Sequence, residues 1–153
     1  RVRKEITGTG ETERRREGYE GGIYSPETTA RTYEEIISRG LKALGKHNTV
    51  VLDASFSKRR WRDMVFEKSA DNGFGALFVE TAAPEEVLRG RLARREEEGT
   101  SVSDAGPEML ERFTADFERP DELGAGKLFA ADTDGEAEET LLRLFKDMIT
   151  KRV

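Results

Sequence analysis

An aspartate ends one short apolar stretch of the chain, and a basic cluster follows it. Residues 50–53 read VVLD, and the next nine residues, ASFSKRRWR, contain four lysines or arginines. A short apolar run that is rich in β-branched residues predicts a strand buried on both faces, as in a parallel sheet. Asp53 would then lie at the carboxyl end of a strand, where α/β proteins bind ligands. On position alone, a turn residue or helix cap explains Asp53 equally well.

Arginines also recur along a second segment, PEEVLRGRLARREEE at residues 84–98. Arg91 and Arg95 are four residues apart, so they share one face of the predicted helix. A guanidinium group binds phosphate oxygens in a planar fork and keeps its charge, which suits a polyphosphate ligand. Internal ion pairs with the glutamates at 96–98 are the alternative. The cluster at 58–62 also has two explanations, phosphate binding at a helix N-terminus or a basic surface helix.

The segments that carry these residues alternate between strand and helix patterns. Continuous apolar runs at 49–53, 75–80 and 127–132 predict strands, and helical spacing of apolar residues follows each of them. Alternation of strands and helices is typical of an α/β domain with a parallel sheet. A short helical piece followed by a loop is predicted for residues 1–24.

Capping residues mark the ends of the predicted helices. Ser25, followed by proline, is the predicted N-cap of a helix that Gly45 ends. Ser57 is a candidate cap for the helix that contains the basic cluster. Thr133 and Glu136 have the spacing of a capping box for the last helix, whose predicted inner face carries Leu141, Leu142, Leu144, Phe145, Met148 and Ile149.

Composition limits the class of protein. The chain has 153 residues, which is enough for one domain with a buried core. Its net charge is −5 despite 26 lysines and arginines, so local clusters rather than overall charge must bind any anion. Cysteine is absent from the sequence, which excludes a disulfide framework and a thiolate metal site. No membrane-length apolar run or signal peptide is visible, and we expect a cytoplasmic protein without a membrane partner.

Five segments together resemble the P-loop kinases of small substrates. They read, in chain order, VVLDASFSKRRWRD, FVETAAPEEVLRGRLARRE, SDA, FERPDEL and a strand ending in DTD. The group they resemble is the bacterial "predicted kinase" group of the AAA ATPase-like type, related to gluconate kinase, zeta toxins and polynucleotide kinase. The resemblance covers nearly the whole chain. It implies one kinase-like domain over residues 1–153 with the P-loop NTPase-like three-layer sandwich and a parallel sheet.

The resemblance also implies roles for individual residues. Asp53 corresponds to an acidic residue near Mg²⁺ and the substrate. Arg91 and Arg95 correspond to the lid arginines that surround the transferring phosphoryl group, and the mobile lid itself corresponds to residues 94–107. Thr133 and Asp134 fall where such kinases place a loop near the adenine of ATP.

The substrate side is assigned in the same way. Residues 1–24 form the substrate-side segment, in which Arg3 corresponds to an arginine that grips substrate, and the basic residues Arg59 and Arg60 are further candidates for substrate binding. The activity implied is ATP- and Mg²⁺-dependent phosphorylation of a hydroxyl on a small molecule. A polynucleotide end is the one nucleic-acid substrate that this activity would accept.

One part of the family pattern does not occur in the 153 residues. Such kinases hold phosphates and Mg²⁺ with the motif G-x-x-x-x-G-K-[ST], and the Gly-rich stretch TGTGETER at 7–14 lacks its lysine and hydroxyl. RVRKEI resembles the end of a D-x-x-R pattern that follows the second strand in these kinases. We therefore expect the C-terminal part of a kinase, without the N-terminal strand, P-loop, helix and second strand, and inactive as an isolated chain.

A non-catalytic remnant or interaction module is the alternative function. The P-loop strand lies in the middle of the sheet in kinases of this type, so a sheet without it has an unpaired strand edge. Because unpaired edges pair with other chains, we expect a homo-oligomer, a strand swap or a sheet that another chain completes.

Overall fold

The computed structural model describes residues 2–8, 25–98 and 110–151. This part of the chain forms six helices and two strands. In chain order they are α1 (Val2–Thr7), α2 (Pro26–Leu44), α3 (Arg59–Asp71), β1 (Phe78–Ala82), α4 (Glu85–Glu98), α5 (Leu110–Asp116), β2 (Leu128–Asp132) and α6 (Ala137–Lys151). The predicted mixed α/β class is confirmed.

β1 and β2 form a parallel sheet, with Phe78 paired to Leu128 and Ala82 paired to Asp132. Thr133, which follows β2, links the carboxyl ends of the two strands. Its backbone N–H and its hydroxyl both donate to the carbonyl oxygen of Ala82, at 2.8 and 2.9 Å. The strand predicted at 127–132 is confirmed within one residue. The earlier strand begins at Phe78 rather than at residue 75 and continues to Ala82.

The strand predicted at residues 49–53 is not present, and this prediction was wrong. The segment has no ladder hydrogen bonds, and β1 and β2 are the strands of the part of the chain that the structure describes. Apolar residues alone do not make a strand, since the backbone groups need a hydrogen-bonded neighbour. Val51 is 86% exposed, whereas Leu52 packs against the core. The predicted three-layer sandwich is therefore observed only as a mixed α/β arrangement with a two-stranded parallel sheet.

The predicted ends of α2 are confirmed. The Ser25 hydroxyl accepts a hydrogen bond from the backbone N–H of Thr28 at 3.2 Å, Pro26 is the first helical residue, and Gly45 is the C-cap. The N-cap of α3 is Lys58 rather than Ser57, and its side chain makes no capping hydrogen bond.

The predicted capping box of α6 does not form. The Thr133 hydroxyl donates to β1 instead of bonding within the turn, and the helix begins only at Ala137. The Thr133 hydroxyl, which local sequence spacing predicts to cap the helix, therefore binds a backbone carbonyl of the sheet instead.

The core lies where α2 and α3 enclose the segment between them. Its buried members are Tyr33, Ile37, Phe56, Trp61 and Val65. The Tyr33 ring stacks on the indole of Trp61, with centroids 4.6 Å apart and an interplanar angle of 18°. Stacking of this kind adds to the stabilisation that burial of the rings already provides.

Gly40 allows the segment at 50–54 to pack closely on α2. A Cβ placed on Gly40 would lie 2.6 Å from Cδ2 of Leu52, so a larger residue would displace that side chain. Leu52 in turn packs against the core cluster. The irregular segment that carries Asp53 is thus positioned by helix packing rather than by a sheet ladder.

α6 packs on β2 with only part of its apolar surface. Leu144 and Met148 are half-buried, and the ammonium of Lys151 lies 5.6 Å from the ring centroid of Phe129. The predicted inner face is only partly correct, because four of its members are exposed: Leu141, Leu142, Phe145 and Ile149. Among the helices of the described ranges, none combines the length and the apolar character that crossing a membrane requires.

Candidate functional site

An open cavity of about 460 Å³ lies between α1, α2 and residues 50–55. Its volume falls in the range typical of small-molecule sites. The polar side chains that line it are Arg3, Thr32, Tyr33, Arg39, Asp53 and Ser55. Two residues predicted for the site from distant parts of the sequence, Arg3 and Asp53, are therefore brought to one cavity.

Hydrogen bonds across α2 hold the arginine wall of the cavity in place. Arg3 on α1 donates from Nη1 to the hydroxyl of Thr29 at 2.9 Å. Arg39 on α2 contacts Glu5 of α1 and Glu35 of its own helix, each at 2.8 Å. Hydrogen bonds to Glu35 and then Glu5 raise the pKa of Arg39 above its ordinary value. The charge of Arg39 is therefore balanced by two carboxylates. Because a guanidinium carries five N–H donors, Arg3 and Arg39 can each still donate a hydrogen bond to a ligand oxygen.

A pair of hydroxyl groups, from Tyr33 of α2 and from Ser55, also lines the cavity. The Tyr33 hydroxyl and the Ser55 hydroxyl are 3.0 Å apart, and either can donate. The Tyr33 ring is buried in the core, while Ser55 is exposed. Hydroxyl groups both donate and accept hydrogen bonds, so this pair can bind a hydroxyl group of a ligand. Ser55 is two residues after Asp53 in the sequence.

Asp53 can act in this cavity in two ways. Its exposed carboxylate can accept a hydrogen bond from a ligand hydroxyl, or it can supply one oxygen to Mg²⁺. Mg²⁺ is usually held by one or two carboxylates together with phosphate oxygens and water, so a single carboxylate fits the role of one ligand. Within residues 2–8, 25–98 and 110–151, no group of three or more His, Cys, Asp or Glu side chains has the arrangement of a metal site.

The basic residues at the start of α3 make contacts within the chain. Arg59 donates its backbone N–H to Oε2 of Glu118 at 2.7 Å, and its side chain lies 3.4 Å from Asp63. The guanidinium of Arg60 lies 4.3 Å from the ring centroid of Trp61. Both arginines are exposed and neither lines the cavity in the described part of the chain. Their assignment to substrate remains a prediction.

Arg62 belongs to the cluster for which phosphate binding and a basic surface helix were both open, and neither explanation is correct for this residue. Only 2% of Arg62 is exposed, because its guanidinium forms an ion pair with Glu122 and donates to the carbonyl oxygen of Phe56. The hydrogen bond to Arg62 lowers the pKa of Glu122. Sequence reasoning identified the segment FERPDEL but assigned no role to Glu118 or Glu122. The available signal in the sequence was the spacing of four residues between these two glutamates, together with the basic cluster at 58–62 that could pair with them.

Two predicted site residues from different elements meet at the carboxyl ends of the strands. Arg91 of α4 donates from Nη1 to the Thr133 hydroxyl at 3.2 Å and from Nη2 to the Thr133 carbonyl oxygen. Arg95 and Asp134 are exposed. In the described ranges, none of these residues lines the cavity, so their roles remain predictions. Most of the predicted lid, including Asp104, lies outside the described residues.

Comparison with known proteins gives one result. A family model described as "AAA domain" matches residues 1–120, which is more than half of the chain and includes the cavity, α3 and α4. No curated protein and no solved structure matches the chain significantly.

Proposed function

The chain belongs to this family of AAA domains, which are kinase-like P-loop NTPases, and on that premise we propose that it is the substrate-side part of an ATP-dependent kinase for a small hydroxylated molecule. P-loop domains of the AAA type generally bind nucleotide together with Mg²⁺. The observation that carries the proposal is the cavity in which Arg3, Asp53 and the Tyr33–Ser55 hydroxyl pair line the walls. A kinship with gluconate kinase, zeta toxins and polynucleotide kinase is part of the same proposal.

The groups in the cavity match what phosphoryl transfer requires of the acceptor side. In this reaction the acceptor hydroxyl gives its proton to a base, its oxygen bonds to the γ-phosphorus, and the bond from that phosphorus to its bridging oxygen breaks to release ADP. The protein mainly positions groups and stabilises charge. The hydroxyl pair and the Asp53 carboxylate can orient an acceptor hydroxyl. Arg3 and Arg39 can bind other oxygens of the same molecule.

The nucleotide side is proposed to lie at the carboxyl ends of β1 and β2. α4 follows β1 directly and carries Arg91 and Arg95, and Thr133 and Asp134 follow β2. Arg91 would have to give up its contacts with Thr133 to move toward a phosphoryl group. Arg95 is exposed and would lose no such contact in the described part of the chain. Arg91 would act from its position on Thr133, which places both near the same strand ends.

We further propose that a strand and P-loop from outside residues 1–153 complete the sheet between residues 50–53 and β1. Three observations support this arrangement. Leu52 and Phe78 both pack against the same core cluster, the exposed Val51 lacks a strand neighbour in the described part of the chain, and residues 1–153 contain no G-x-x-x-x-G-K-[ST] motif. The added loop would supply the cradle for the β- and γ-phosphates.

The test is an assay of the protein expressed with its flanking coding sequence. We expect ADP to form in the presence of Mg²⁺, ATP and a member of a panel of small hydroxylated molecules, with 5′-hydroxyl oligonucleotides included in the panel. Asp53→Asn should then reduce turnover strongly, and Glu67→Gln on exposed α3 surface should not. ADP formation that is independent of any acceptor and unaffected by Asp53→Asn would contradict the proposal.

A second candidate function is a non-catalytic interaction module whose sheet another chain completes. Leu142, Phe145 and Ile149, which are exposed on α6, favour this candidate, because exposed apolar surface is typical of interaction sites. Val51 is exposed separately, on the segment at 50–53. The coding sequence that flanks the chain separates the two functions. A G-x-x-x-x-G-K-[ST] motif within the span of one βαβ unit supports the kinase, and unrelated sequence supports the module.

A further inference from the structure

Arg62 makes several buried polar contacts in the described part of the chain. Its side chain is 3% exposed and that of its partner Glu122 is 11% exposed. Nε donates to Oε1 of Glu122, and Nη2 lies 3.1 Å from Oε2, so the pair has the two-pronged geometry of a strong arginine–carboxylate contact. The residues are 60 positions apart in the sequence, and the pair therefore joins α3 to the segment after α5.

The same guanidinium also binds two backbone carbonyl groups. Nη1 donates to the carbonyl oxygen of Phe56 at 2.9 Å, and Nη2 donates to that of Arg119 at 3.4 Å. Phe56 has a φ of 41° and is the one non-glycine residue with positive φ in the described ranges. A bulky residue adopts this conformation only when its surroundings hold it there. Arg62 supplies such a contact at the carbonyl of Phe56.

A second bridge runs parallel to the first. Glu118 donates its backbone N–H to the carbonyl oxygen of Ser57 at 2.8 Å, and its carboxylate accepts from the backbone N–H of Arg59. The ammonium of Lys58 lies 3.4 Å from the same carboxylate. The turn between Phe56 and α3 is therefore held on both sides by residues 118–122.

We propose that Arg62 is a positioning residue that sets the segment 53–57, of which residues 53–55 line the cavity, through the carbonyl of Phe56 and through Glu122. Phe56 directly follows Ser55, whose hydroxyl meets Tyr33 in the cavity, and it lies three residues from Asp53. The role in substrate binding rests on the proposed function. The positioning itself depends only on the contacts described above.

The positioning role of residue 62 requires an arginine rather than any other cation. Three acceptors, two of them carbonyl groups, surround one guanidinium, and the compact ammonium of a lysine cannot match this planar set. A reversed pair, Arg62→Glu with Glu122→Arg, keeps both charges but places no donor opposite the Phe56 carbonyl. The reversed pair therefore distinguishes a role that needs only the ion pair from a role that needs the hydrogen bond to the Phe56 carbonyl.

Hydrogen exchange of the 153-residue chain, measured by NMR, tests the positioning. In Arg62→Lys we expect the Glu118 amide, which bonds to the Ser57 carbonyl, to exchange at least tenfold faster, with a changed Phe56 amide shift. Amides within α2 should keep their exchange rates, and the reversed pair should not restore either signal. Arg143→Lys, which changes an exposed arginine of α6, is the matched control and should leave both signals unchanged.

Glu122→Gln is the milder variant if Arg62→Lys does not fold. It keeps an acceptor for Arg62 and should accelerate exchange of the Glu118 amide by a smaller factor of about two to five, with α2 unaffected. Unchanged exchange and an unchanged Phe56 shift in Arg62→Lys or Glu122→Gln, or full restoration by the reversed pair, would overturn the proposal.

A kinetic measurement connects the positioning to the site. In the active protein with its flanking sequence, Arg62→Lys should raise KM for the acceptor at least tenfold and change KM for ATP less than threefold. Equal changes in both KM values would overturn the link to the cavity. Failure of the proposed function would appear differently, as a wild-type protein without kinase activity but with the predicted exchange behaviour.

Discussion

Arg91 on α4 is fastened to Thr133 at the end of β2 by two hydrogen bonds from one guanidinium, one to the hydroxyl and one to the carbonyl oxygen. Thr133 also donates twice to the Ala82 carbonyl of β1. A single threonine thus joins both strand ends to the helix that carries Arg91 and Arg95. Arg91 has a structural role whether or not it also contacts a phosphate.

Arg91 and Arg95 should respond differently to the same substitution. Arg91→Lys removes the two-pronged contact with Thr133 and should lower the free energy of unfolding by about 1–2 kcal/mol. Arg95 is exposed, so Arg95→Lys should change stability by less than about 0.5 kcal/mol. Thermal and urea melts of both variants check this. Thr133→Val is a third variant, which removes both contacts of the Thr133 hydroxyl, with Arg91 and with Ala82, and keeps the contact of Arg91 with the Thr133 carbonyl oxygen.

The same two variants separate structure from catalysis. In the active protein, Arg95→Lys should reduce turnover without a loss of stability, because lysine lacks the planar fork that binds phosphate oxygens. Normal turnover in Arg95→Lys would assign this residue to the ion pairs of a solvated helix. A loss of stability in Arg91→Lys with normal turnover would assign Arg91 to structure alone.

Tyr33→Phe and Ser55→Ala remove the same hydrogen bond from opposite sides. Each variant should cost about 0.5–1.5 kcal/mol, and the double variant should cost little more than either single one because the two groups share one contact. Trp61 fluorescence should be unchanged in Tyr33→Phe, since the ring stack is kept. Additive effects of the two substitutions would show that the hydroxyl groups act independently.

The glutamates of the two bridges make the fold sensitive to acid. Hydrogen bonds from the Arg59 backbone and the Arg62 side chain lower the pKa values of Glu118 and Glu122, respectively, below the ordinary 4.5. A carboxylate with a lowered pKa in the folded state stabilises the fold fully above its unfolded pKa, and this stabilisation is lost as the pH falls through the folded pKa. The affected window therefore lies below pH 4.5.

Melting temperatures between pH 7 and pH 3 check this expectation. Glu122→Gln should melt lower than wild type at pH 7, and the difference should narrow as the pH falls below 4.5, because the wild-type carboxylate becomes protonated there. Glu118→Gln should show the same trend. Exposed Glu67→Gln is the control and should follow wild type throughout. A difference for Glu122→Gln that stays constant down to pH 3 would contradict the assigned direction of its pKa.

Local sequence signals predicted what local contacts determine. Ser25, its proline and Gly45 define α2 through hydrogen bonds within a few residues, so the prediction from sequence was correct. Thr133 has the local signal of a helix cap but donates to Ala82, which is 51 positions away. A spacing rule contains no information about such a partner.

The missing strand at 49–53 and the buried Arg62 have the same explanation. The apolar run has a strand composition, but a strand forms only beside a hydrogen-bonded neighbour, and the described part of the chain supplies none to this segment. Arg62 stands in a basic cluster, yet Glu122 and the Phe56 carbonyl determine its burial. Asp53 and Arg3 were placed in one site by family resemblance, and the structure brings both to one cavity.

Asp53→Asn provides the most direct test of the cavity. In the active protein it should reduce turnover by roughly 10²-fold or more, as expected when a group that orients metal or substrate is lost. Stability should change little, because Asp53 is exposed. Single-turnover kinetics with saturating Mg²⁺ and ATP give the measurement. Near-normal turnover in this variant would identify Asp53 as a turn residue, which is the alternative that its position in the sequence left open.

The isolated 153-residue chain should bind ATP weakly and should associate. The residues proposed for the nucleotide offer separate positive charges rather than a phosphate cradle, so binding should decrease steeply with salt. The exposed Val51, beside a segment without a strand partner in the described chain, should pair with a second copy.

Calorimetry with Mg·ATP and light scattering test both halves of this prediction, and two variants identify the associating surface. Val51→Pro removes a backbone donor and should shift the chain toward monomer, because proline blocks ladder formation. Leu142→Ser reduces the exposed apolar surface of α6 and should leave association unchanged if the segment at 50–53 is the pairing edge.

The contact would lie on α6 instead if Leu142→Ser abolishes association and Val51→Pro does not affect it. Micromolar, salt-insensitive ATP binding by a strictly monomeric chain would show that these residues bind nucleotide without an added P-loop, and the proposed completion of the sheet would then be wrong.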